Sequence, residues 1–75
     1  MDAAGQALMD HLKHAQLATA TLMDIISRTQ AIQAAILRGA EQQEIAVMRS
    51  EVHDTLDAYL DHSMAAMQAA KSILS

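Results

Sequence analysis

The 75-residue chain contains no cysteine, proline, tryptophan or phenylalanine, and Tyr59 is its one aromatic residue. Each absence excludes something. Without cysteine there is no disulfide framework, no thiolate zinc site and no thiol nucleophile. With no proline, and only Gly5 and Gly39 as glycines, the chain lacks the turn residues that a β-sandwich or barrel needs at its many strand connections. Aromatic rings supply the largest burial per residue, so a chain without them builds a thin core. A domain of this length buries little surface to begin with. Together these two shortages predict dependence on a second polypeptide surface.

Charge and hydropathy exclude more. Nine acidic against five basic residues give a net charge of −4, which argues against general nucleic-acid binding because phosphate neutralisation requires a basic surface. The longest stretch free of Asp, Glu, Lys and Arg runs from His14 to Met23. That is far short of the ~20 residues that span a bilayer. The start, Met1-Asp2-Ala3, carries no basic region ahead of an apolar run, so no secretory signal is expected and the default location is cytoplasmic.

What is present favours helix. Alanine fills 16 positions, and Leu, Met, Gln and Glu make up much of the rest. The one clear punctuation is Arg38-Gly39-Ala40-Glu41. A glycine after an apolar-periodic run is a helix C-cap signal, Arg38 suits the negative end of the helix dipole, and Glu41 and Glu44 suit the positive end of the helix that follows. The expected fold is therefore all-α: an antiparallel two-helix hairpin forming one domain over 1–75. Its helices cover about 3–37 and 42–73, with the turn at 38–41, and the hairpin is expected to assemble into a four-helix bundle. The competing arrangement breaks the first helix near Ser27-Arg28-Thr29 to give three helices, since Ser and Thr compete for backbone hydrogen bonds.

Apolar residues recur at helical spacing. The first half offers Leu8, Leu12, Ala15, Leu22, Ile25, Ile26, Ile32 and Ile36, and the second Ile45, Met48, Val52, Leu56, Tyr59, Ser63, Met67, Ala70 and Leu74. Steps of three and four mark amphipathic helices. Small residues (Ala15, Ala18, Ala31, Ala35, Ala66, Ala70) are expected to line the seam and let the backbones approach. Leu8, Leu12, Leu22, Ile26, Ile36, Val52, Leu56, Tyr59 and Met67 are expected to carry contact with a second copy or with a partner helix. Met64, Met67, Ile73 and Leu74 opposite Leu8, Met9 and Leu12 should make an apolar open end, and Met suits adaptable contact surfaces.

Chemical motifs are sparse. His11 and His14 share one helical face, and with a turn near Gly39 the facing residues have numbers summing to about 79, which sets His62 at a similar height. His11, His14, Asp61 and His62 are thus the candidate metal ligands, of a type that suits Zn, Fe or Ni. The Glu-x-x-His pattern of bundle di-metal sites is absent, and so is His-Glu-x-x-His. Solvated histidines, with no metal and no cofactor, are the expected state. Glu51, Asp54, Asp57 and Asp61 form an acidic stripe that reads as a solvated face rather than as paired catalytic carboxylates. Arg28, Arg38 and Arg49 lie toward the turn without the neighbouring aromatics that nucleic-acid binding uses, and Arg28 is expected to pair with Glu51. There is no Gly-x-Ser-x-Gly and no phosphate loop. The expectation is a non-enzymatic protein–protein interaction module whose partner is itself or another helical protein, not nucleic acid or membrane. The alternatives are a small co-chaperone or structural subunit of a bacterial secretion, phage or plasmid system, and a metal-binding helical bundle.

Overall fold

The computed structural model describes residues 2–74. Two helices, α1 (Ala3–Leu37) and α2 (Gln42–Leu74), pack side by side as an antiparallel hairpin. No strand occurs among the described residues. α1 starts where Asp2 stands in extended conformation and its carboxylate accepts the Gly5 N–H at 2.7 Å, an N-cap. It runs unbroken through Ser27-Arg28-Thr29. The Thr29 hydroxyl there bonds back to the carbonyls of Ile25 and Ile26, both at 2.9 Å, so it does not compete with the ladder. The three-helix arrangement is not adopted.

The turn is a Schellman motif. The Ala40 N–H reaches the Ala35 carbonyl at 2.9 Å and the Gly39 N–H reaches that of Ile36 at 3.1 Å, with Gly39 at φ +77°. This left-handed conformation is what requires glycine at 39. Glu44 lies in the first turn of α2. Glu41 was expected there too, but it precedes the helix and its carbonyl accepts the Ile45 N–H.

The seam between the helices has a regular composition. Along α1 it runs through Ala7, His11, His14, Ala18, Thr21, Ile25, Arg28, Ile32 and Ala35, all buried or half-buried, with Gly5, Asp10 and Ala15 half-buried beside it. On α2 it runs through Ile45, Met48, Val52, Thr55, Tyr59, His62, Ala66, Ala69 and Ile73, with Ala58, Ser63, Ala65 and Ala70 half-buried beside it. Each set spans 28 residues in eight steps, a mean of 3.5, the spacing that keeps two helices in register over a long contact. Most of these side chains are small or polar, and among the described residues the buried apolar ones are Ala18, Ala35, Val52 and Ala66. Ala31, expected in the seam, is exposed beside Arg28 and Glu51.

The result is a rod of 55 × 16 × 14 Å with a radius of gyration of 16.9 Å. A compact chain of this length has a radius of gyration of about 11 Å.

Candidate interaction face

Because the seam repeats every 3.5 residues, the positions one residue after it and one residue before it form two further stripes on each helix, on opposite sides. In an antiparallel pair of right-handed helices the "after" stripes of both helices fall on the same side of the hairpin. The shallow groove of about 570 Å³ near the turn shows this directly, since Ile36 of α1 lines it together with Ala46 and Arg49 of α2.

That side is apolar. α1 contributes Leu8, Leu12, Leu22, Ile26 and Ile36, and α2 contributes Leu56, Leu60, Met67 and Leu74, each between 36% and 86% exposed. Ala15 and Ala70 fill positions between them. Arg49 is the one Asp, Glu, Lys or Arg residue on it. His53, Thr29 and Gln33 accompany Arg49 toward the turn, so the open-end two-thirds of the face is the more apolar part.

The opposite side is charged. The "before" stripes carry Asp10, Lys13, Asp24, Glu44, Glu51, Asp54 and Asp61. Arg28 leans to that side and bridges Asp24 at 3.1 Å and Glu51 at 2.8 Å. The Glu51 bond is the one the register predicted. These bonds, Asp24's first, raise the Arg28 guanidinium above its ordinary pKa, and Glu44 does the same for Arg38 at the turn. Two of the three turn-proximal arginines are thus engaged with carboxylates of the chain itself, while Arg49 lines the apolar groove.

Seven of the nine expected contact residues (Leu8, Leu12, Leu22, Ile26, Ile36, Leu56 and Met67) stand exposed on the apolar side. The other two, Val52 and Tyr59, face the hairpin's own seam, with Val52 9% exposed. Leu60 completes the face, at a position the helical count from Val52 and Leu56 passes over in favour of Tyr59.

Three of the four histidines, His11, His14 and His62, sit half-buried in the open-end half of the seam. His14 and His62 stack with ring centroids 6.2 Å apart and planes 27° off parallel. His11 Nδ1 lies 2.9 Å from the Ala66 carbonyl and donates to it. His14 Nδ1 is buried with no hydrogen-bond partner. Asp61 is exposed on the charged side, apart from the stacked rings, so His11, His14, Asp61 and His62 do not converge. Among the described residues no group of three or more His, Asp or Glu is placed to hold a metal ion. The two seam threonines are satisfied within their own helices: Thr21 bonds back to Leu17 and Ala18, and Thr55 to Glu51. No described helix is long and apolar enough to cross a membrane.

No protein-family model, curated protein or solved structure matches this chain.

Proposed function

We propose that this chain is a non-enzymatic protein–protein interaction module, a helical hairpin whose Leu/Ile/Met face is covered by another helical surface. The observation that carries this reading is surface area. A folded chain of 8.1 kDa exposes about 4,500 Å² by the general scaling of folded monomers. This hairpin exposes 5,493 Å², roughly 1,000 Å² more. Nine of the 15 large hydrophobic residues exposed among those described lie on this one side, and contiguous apolar surface of that kind marks an interaction site. The docking mode is helix against helix, with anchors at three- and four-residue spacing.

The charged side has the opposite role: it keeps the module from pairing through both faces. A photo-reactive benzophenone side chain at Leu22, introduced in cells that make the protein, is expected to trap a polypeptide, and the same group at Asp54 is not. Equal trapping at both positions, or trapping only at Asp54, refutes the reading.

A further inference from the structure

We infer that the surface covering the apolar face is a second copy of this chain, laid antiparallel on it about a two-fold axis. The inference rests on reading that face as an interface, and three observations select the occupant. The first is area: an excess of roughly 1,000 Å² on each of two copies is on the scale of the ~1,200–2,000 Å² that stable pairs bury in total, so one second hairpin is enough to cover the open-end part of the face.

The second is pattern. A two-fold interface is isologous, so the face must be complementary to itself. With the axis at the level of Leu17, Leu8 of one copy meets Ile26 of the other and Leu12 meets Leu22. On α2, Leu60 meets its own counterpart, and Leu74, 86% exposed, reaches the partner's groove beside Ala46. Centring the overlap on the hairpin's midpoint instead sets Leu8 on Gln33 and Leu12 on Thr29, which leaves both leucines on polar groups.

The third is charge. Arg49 lies at the height of Arg28 by the register that joins His11 to Ala66 and His14 to His62. Turn-to-turn pairing would bring both Arg49 side chains to one end of the bundle. The antiparallel pairing sets them about 33 Å apart at 1.5 Å per residue, beyond the ~8 Å screening length at physiological salt.

The chain has no native cysteine, so engineered pairs report the geometry cleanly. Leu8 and Ile26 lie about 27 Å apart along α1, too far to bridge within one chain. On mild oxidation Leu8→Cys/Ile26→Cys is expected to give a covalent dimer at least tenfold faster than Lys13→Cys/Ala20→Cys on the charged side. A folded monomer, by light scattering of the unaltered chain at 100 µM, overturns the second-copy inference and leaves the interaction reading standing. A dimer that cross-links only through Lys13→Cys/Ala20→Cys overturns both. A dimer that cross-links through neither pair overturns the antiparallel register.

Discussion

Replacing His14 with leucine should stabilise the hairpin, although it removes a half-buried side chain that stacks on His62. The His14 Nδ1 is shielded from water and has no partner. Leaving a buried polar atom unpaired costs about 1–3 kcal/mol. The stack with His62 returns about 0.5–1.5 kcal/mol beyond the area it covers, and leucine fills a similar volume with no polar atom. The balance favours leucine by about 1 kcal/mol, which in a chain of this size raises Tm by ~4–8 °C. Three residues away, His11→Leu should do the reverse. It removes the bond to the Ala66 carbonyl at 2.9 Å, at a cost of about 0.5–1.5 kcal/mol. Both variants are compared by thermal unfolding at one fixed protein concentration, since self-association makes Tm depend on concentration. The same substitution on one helix is thus expected to move Tm in opposite directions. A loss of stability in His14→Leu as large as that in His11→Leu refutes the account of the seam.

Gly39→Ala meets nothing within 4 Å of the added methyl, so its cost is conformational alone, about 1–2 kcal/mol for an L-residue at φ +77°; urea unfolding should show a lowered midpoint with an unchanged slope. Ala35→Leu overfills the tightest point of the seam, where the alanine is 1% exposed, and should cost about 1–3 kcal/mol by the same assay. Arg28→Ala breaks two exposed ion pairs and should leave the melting curve nearly unchanged, with any small difference disappearing in 1 M salt.

The turn and both helices were legible from single residues. Gly39 has no competitor as a stop, Asp2 is a standard N-cap type, and the absence of proline lets each helix run its full length. The facing register was also close, as the Arg28–Glu51 and His14–His62 pairings show. What the sequence concealed was which stripe turns inward. Pattern reading follows large apolar side chains, and on α2 it drifts from Val52 to Leu56, Ser63 and Met67. The seam instead continues through Thr55, His62, Ala66 and Ala69, residues too small or too polar to register as a hydrophobic repeat. The hairpin closes on the narrow side because alanine lets the backbones approach, and that choice leaves the leucines outside. The half-burial of His11, His14 and His62, expected to be solvated, was hidden for the same reason, since polar residues at seam positions resemble breaks in a pattern.

The mass of the chain in solution tests the central claim most directly. Sedimentation equilibrium over 1–100 µM should give about 16 kDa, twice the 8.1 kDa of one chain, for the unaltered protein, and a single-chain mass for Leu22→Glu/Leu60→Glu, which sets carboxylates in the middle of the apolar face. A folded, unaltered chain that stays at 8.1 kDa across that range, with a melting temperature independent of concentration, would contradict the account.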